Sequence, residues 1–172
     1  MEIFRSRISN LAIDYTLSSK LTSANGSIKA EVDGSIAGHV EFIIRKNKNV
    51  IFQQSARILP DHTSQAEFSI DAPELWFPHG YGRQELYEFE ATPLQGKSEL
   101  VGMTKRVGFR KVELVQNPDE IGKSFYFRIN GYDIFCGGSN WIPADSFTPR
   151  VTSDKYRTWL QMMVDGYQTM IR

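Results

Sequence analysis

Asn140, Trp141 and Asp145 fall within six residues of one another in the stretch GGSNWIPADSF, residues 137–147. An amide and a carboxylate hydrogen-bond hydroxyl groups, and an indole offers an apolar plane. An apolar run enters the stretch through two glycines. Core strands rarely end on such a set, so the stretch predicts the mouth of a site. Other reactive side chains point elsewhere. Cys136 is the only cysteine and stands in the apolar run YDIFC. An intrachain disulfide is excluded, and with no histidine near it in sequence the thiol reads as a packed apolar residue rather than a nucleophile. His39, His62 and His79 follow no metal-ligand spacing, so no metal is expected.

The elements that must position these residues follow two different patterns. Residues 8 to about 115 read as strands: IDYTLSSKL, GSIKAEVD, HVEFIIRK, NVIFQQSARIL, AEFSID, ELYEFEATPL and ELVGMTKRVGFRKVELV. Seven strands at roughly ten-residue spacing, broken by Gly, Pro, Asn and Asp, predict an antiparallel β-sandwich. Leu86, Phe89 and Ala91 do not keep strict alternation, which predicts bulges. NPDEIGK, residues 117–123, reads as a polar linker and a domain boundary. Asn130-Gly131 between two apolar runs is a hairpin signal, because both residues tolerate positive φ. The period then changes. Tyr156, Trp159, Leu160, Met163 and Tyr167 recur at helical spacing, with Thr152 or Ser153 as cap, Asp154 in the first turn and Gly166 near the end. This stripe reads as core. TMIR then begins another apolar strand. Strand, helix and strand form one β–α–β unit, which calls for a parallel sheet and cannot cover both of its own faces. The chain therefore reads as ending inside a domain.

Composition narrows the function classes. The 172 residues suit one large domain, or a small domain with part of another. Hydrophobic residues make up 41% and the formal net charge is zero, so the basic excess a nucleic-acid partner calls for is missing. No apolar run reaches the length of a membrane span, and MEIFRSRISN lacks the apolar region of a signal peptide. Compartment stays open, with the cytoplasm the first reading.

PELWFPHGYGRQELY, RVGFRKVELVQ, SFYFRINGYDIFCGGSNWIPADSF and YRTWLQMMVDGYQTMIR, in this order from Pro73 to Arg172, resemble consecutive motifs of the β-mannosidases of glycoside hydrolase family 2. The resemblance implies a mainly β chain. An immunoglobulin-like β-sandwich over residues 1–116 would precede the first β–α–β unit of an incomplete (β/α)8 barrel over 117–172. An N-terminal sugar-binding domain and the remainder of the barrel would lie outside the chain. DIFCGGSN would be the first barrel strand and TMIR the second. Such barrels build their site where strands end. Asn140, Trp141, Asp145 and Arg172 would then face one pocket. The resemblance sets Arg172 beside the catalytic nucleophile, where a guanidinium holds a carboxylate ionised. Thr169 and Ser139 depart from the pattern, which usually carries Asn and Ala there.

A retaining glycosidase needs two carboxyl groups about 5–5.5 Å apart. The resemblance implies two glutamates on later strands, and the last glutamate here is Glu120. After it come only Asp133, Asp145, Asp154 and Asp165. The expected function is thus a fragment of a retaining β-mannosidase that removes terminal non-reducing β-D-mannose from oligosaccharides. The chain would supply scaffold and part of the sugar pocket but no catalytic residue, and would be inactive alone. The alternatives are a non-catalytic carbohydrate-binding module and an immunoglobulin-like interaction module. Plainer roles stand beside each site residue. Trp141 can plug the barrel end, Asp145 can cap the following turn, Asn140 can serve loop amides and Arg172 can be a surface cation. Trp76 and Tyr81 read as a clamp joining domains, and the sequon at Asn25 reads as lying in a turn.

Overall fold

The computed structural model describes residues 6–34, 38–94 and 101–172. The chain forms two compact units, one of Met1–Glu74 with Glu85–Phe109, the other of Leu75–Gln84 with Arg110–Arg172.

Among the described residues the first unit holds seven strands: β1 (Arg7–Leu17), β2 (Ser23–Asp33), β3 (His39–Lys46), β4 (Asn49–Arg57), β5 (Thr63–Asp71), β6 (Tyr87–Leu94) and β7 (Met103–Val107). They pair antiparallel in two sheets, β1-β2-β5 and β4-β3-β6-β7, as a β-sandwich requires. Period-two alternation explains the core. Ser64, Ala66, Phe68 and Ile70 of β5 turn inward, as do Ile28, Ala30 and Val32 of β2. Phe42, Phe89, Phe109, Leu11 and Ile44 are fully buried.

Two expectations change here. β6 alternates cleanly from Tyr87 through Phe89, Ala91 and Pro93, and the register shifts sit instead in β1 at Ile8/Asn10 and in β3 at Ile44/Arg45. Leu86 broke the pattern because it precedes the strand. The long run ending at Val115 is two strands, because Phe109 leaves the ladder for the core. It packs edge-on to Tyr15 at 4.9 Å and against Tyr87 at 4.8 Å. The Tyr15 hydroxyl donates to the Gly108 carbonyl at 3.1 Å. The start of that run, Glu99 and Leu100, lies outside the described residues. Asn25 lies within β2, paired with Thr16 and Ser69, and not in a turn.

Lys46 is a buried cation of this unit. Its ammonium meets Glu85, meets Glu74 at 3.0 Å, and lies 4.8 Å from the Tyr87 ring centre. Burial pulls its pKa down, but the hydrogen bonds it donates to Glu85 and Glu74 outweigh that and hold it above the usual lysine value. The Tyr87 hydroxyl accepts from the Glu74 amide at 2.8 Å.

The second unit opens with β8 (Val112–Val115), β9 (Tyr126–Ile129) and β10 (Tyr132–Ile134), ordered β10-β9-β8. Segment 117–123 joins β8 to β9, its neighbours in one antiparallel sheet. Asn130 and Gly131 take φ of 51° and 87°, so the expected hairpin forms with both turn residues left-handed. The Asn130 side chain is buried. It accepts from the Lys111 amide and donates to the Trp76 carbonyl, each at 2.9 Å.

β11 (Gly138–Ser139), α1 (Ser153–Asp165) and β12 (Met170–Ile171) complete the unit, and β11 and β12 pair in parallel. The β–α–β reading therefore holds for this segment. Thr152 caps α1 by accepting from the Lys155 amide at 3.3 Å. Gly166 ends the helix at φ −84°, and Tyr167, not the glycine, takes the left-handed turn at φ 56°. The helix stripe departs from expectation. No residue of α1 is buried, and Tyr156, Trp159 and Leu160 are 42%, 38% and 45% exposed. Among the described residues its strand partners are only two residues long, too little surface to cover a three-turn stripe.

Candidate functional site

Parallel pairing of Gly138 with Met170 and of Ser139 with Ile171 brings two chain segments out at the same end. The Arg172 amide donates to the Ser139 carbonyl at 3.1 Å, and the Trp141 amide donates to the Arg172 carbonyl at 2.6 Å. Asn140 and Trp141 are thereby joined by backbone to Arg172, although 31 positions separate Trp141 from Arg172 in the chain. Glycine is obligatory at 138. A Cβ there would stand 1.8 Å from the Met170 carbonyl oxygen.

A cavity of about 600 Å³ opens beside this junction. Ser139 through Ala144 line one wall, and Trp159, Met162 and Met163 of α1 line the other. The wall is mostly apolar, with Asn140 its one side-chain amide. Asn140 and Trp141 share this cavity, whereas Asp145 and Arg172 are not in its wall. The Trp141 ring stacks on Tyr156 at 5.5 Å and 19°, and meets Trp159 at 5.3 Å and 59°. Part of its aromatic surface is therefore spent within the unit. The Asp145 carboxylate accepts from the Phe147 amide at 2.8 Å, the turn-capping geometry open to an aspartate at this position. Among the described residues no carboxylate pairs with the Arg172 guanidinium.

The remaining aspartates of this unit are engaged in local structure. Asp133 forms a two-pronged pair with Arg128 at 2.5 Å and 3.2 Å, which holds its carboxyl below the usual aspartate value. Asp154 pairs with Arg157 at 3.0 Å, and Asp165 accepts from Gln161 at 2.8 Å. Cys136 is half-buried, its thiol directed at the Ile134 carbonyl 3.8 Å away. Among the described residues no three His, Cys, Asp or Glu side chains converge as metal ligands, and no helix is long and apolar enough to cross a membrane.

Two residues that sequence reasoning did not place at the site hold it from behind. Phe135–Gly137, between β10 and β11, belongs to no strand. The Tyr81 hydroxyl accepts from the Phe135 amide at 3.0 Å. The Thr169 hydroxyl donates to the Phe135 carbonyl at 2.7 Å and lies 3.3 Å from that of Gly137. Only the departure at Thr169 from the family pattern singled out that position, and nothing in sequence spacing linked Tyr81 to Phe135.

Residues 6–110 match glycosyl hydrolases family 2. The chain belongs to this family. Family-2 relatives also match through the site. Beta-mannosidase B of Aspergillus clavatus is 40% identical over the whole of this chain, and that of Aspergillus niger is 43% identical over the same extent. In each case the chain spans 21% of the relative's length. The crystal structure of β-D-mannosidase from Dictyoglomus thermophilum superposes on 98% of the chain with a TM-score of 0.82 at 34% identity, again over 21% of that protein. A β-glucuronidase of Parabacteroides merdae superposes with a TM-score of 0.81 at 20% identity, which speaks for the fold alone. This family-2 chain is thus part of a glycoside hydrolase architecture, about a fifth as long as the curated relatives it matches.

Proposed function

We propose that this chain is part of a retaining β-mannosidase that hydrolyses terminal non-reducing β-D-mannose residues in oligosaccharides. The observation that carries the reading is whole-chain identity of 40% and above to proteins named β-mannosidase, extending through the stretch that bears the site. In this reading residues 1–116 form an immunoglobulin-like sandwich. Residues 117–172 begin a (β/α)8 barrel, with β11 and β12 as its first two strands. Asn140, Trp141, Asp145 and Arg172 bind the sugar or orient the group that attacks it. The amide and the carboxylate bond hydroxyls, the indole meets the ring face, and Arg172 keeps a neighbouring nucleophile ionised. The acid/base and nucleophile are glutamates supplied by the rest of the parent protein, as is the remaining wall of the pocket. No cofactor takes part, because two carboxylates suffice for double displacement.

The test uses the full-length parent on aryl β-D-mannoside, β-D-glucuronide and β-D-galactoside. The expected result is a marked preference for the mannoside, lowered about a hundredfold in kcat/KM by Arg172→Ala, the scale of losing one electrostatic contact in the transition state. A parent that prefers the glucuronide or galactoside overturns the substrate assignment. Turnover by the 172-residue chain alone, free of contaminating enzyme, overturns the placement of both glutamates outside it.

A further inference from the structure

We propose that Tyr81 and Thr169 are positioning residues for the sugar pocket, acting through the backbone of Phe135–Gly137; the substrate named here rests on the β-mannosidase reading. The site stretch is reached through three residues that no ladder holds. A free segment of that kind would let Asn140 and Trp141 drift. The structure closes it from two sides. Tyr81, from the excursion Leu75–Gln84, takes the Phe135 amide. Thr169, from the turn before β12, takes the Phe135 carbonyl through its hydroxyl, and its amide donates to the Gly137 carbonyl at 2.8 Å. Backbone N–H and C=O groups outside a ladder take other partners, and here side-chain hydroxyls supply what a sheet neighbour would otherwise give.

Both contacts are themselves anchored. The excursion that carries Tyr81 is pinned by the Asn130 amide on the Trp76 carbonyl, by the Arg110 guanidinium 4.7 Å from the Trp76 ring centre, and by Phe77 edge-on to Tyr132 at 5.9 Å. Thr169 is adjacent to Met170, the residue whose carbonyl lies against Gly138. Movement at Phe135–Gly137 therefore passes directly to the Ser139–Arg172–Trp141 backbone junction. Threonine offers one hydroxyl proton to two carbonyls at this point, while its γ-methyl has no polar demand. The effect belongs to ligand binding and alignment, because neither hydroxyl is in the cavity wall.

The experiment uses the full-length parent with Tyr81→Phe, Thr169→Val and Thr169→Ser. Hydrogen exchange at the Phe135 amide reads the clamp, and KM for an aryl β-mannoside together with Kd for a mannose-configured inhibitor reads the pocket. Tyr81→Phe and Thr169→Val are expected to weaken binding about fivefold each, the scale of one lost hydrogen bond, with a smaller change in kcat. Tyr81→Phe should also speed exchange at Phe135, and Thr169→Ser should recover most of the affinity. Faster exchange with unchanged binding overturns the positioning role. A serine variant as weak as the valine variant overturns the hydroxyl argument. A wild-type parent that ignores β-mannosides defeats the functional reading instead. The exchange rates and the affinity for the glycoside it does take then decide the clamp.

Discussion

Phe109 and Trp159 are both large aromatic residues within regular apolar patterns, yet Phe109 is fully buried and Trp159 is 38% exposed. Phe109 belongs to a unit whose two sheets supply each other's covering face, with Tyr15, Phe68, Tyr87 and Phe89 all within ring contact of it. Trp159 belongs to a helix that lies beside a two-residue strand pair and the loop bearing Trp141, and that faces Trp76, Pro78, His79 and Gln84 across a second cavity. Periodicity states which residues share a face. Burial needs a second surface, which among the described residues the facing sheet gives Phe109 and nothing gives the α1 stripe in full.

The contrast predicts where substitution costs stability. Phe109→Ala should cost about 3–5 kcal/mol, the range for emptying a core aromatic site, measured by urea unfolding of the 172-residue chain. A loss below about 1 kcal/mol would mean that the sandwich core collapses around the gap, and the comparison would fail. Gly138→Ala should cost about 1–3 kcal/mol, because its methyl runs into the Met170 carbonyl and parts β11 from β12. Faster hydrogen exchange at the Trp141 and Arg172 amides would register that parting, and unaltered protection would show that the pair does not hold the site together.

Alkaline titration sharpens the comparison further, since two groups of the sandwich are shifted upward. Lys46 is held above its ordinary 10.5 by Glu85 and Glu74 against the downward pull of burial, and burial pushes the Tyr87 phenol above its ordinary 10.0. A group whose folded pKa is raised stabilises the fold fully below its unfolded pKa and loses that effect as pH climbs through the folded value. Unfolding midpoints should therefore be level to about pH 10 and fall above it, with a shallower fall in Lys46→Met. A fall that begins near neutrality would exclude these two groups as its cause. The smallest effect belongs to the helix stripe. Met162 is 66% exposed, so Met162→Ser should change stability by no more than about 0.5 kcal/mol in the chain alone. A larger loss would reveal a covering surface on α1.

Sequence alone determined the strands of the sandwich, the Asn130-Gly131 hairpin, a helix cap at Thr152 or Ser153 and the change from strand to helix period. Each depends on residues close in the chain: alternation, positive φ, a hydroxyl within reach of a free amide. It also showed that Asn140, Trp141 and Asp145 form an unusual polar and aromatic cluster after an apolar run. It misread Leu86 as a strand residue, the Gly108-Phe109 break as continuous strand and Tyr156/Trp159 as core, because those outcomes depend on what lies opposite. Only tertiary structure decided that Gly138 must admit the Met170 carbonyl, that Arg172 meets Trp141 through its backbone, and that Tyr81 and Thr169 close on Phe135. Those contacts join residues 31 to 54 positions apart. No local pattern encodes which distant amide a hydroxyl will find, since that partner is chosen by the packing of the elements between them.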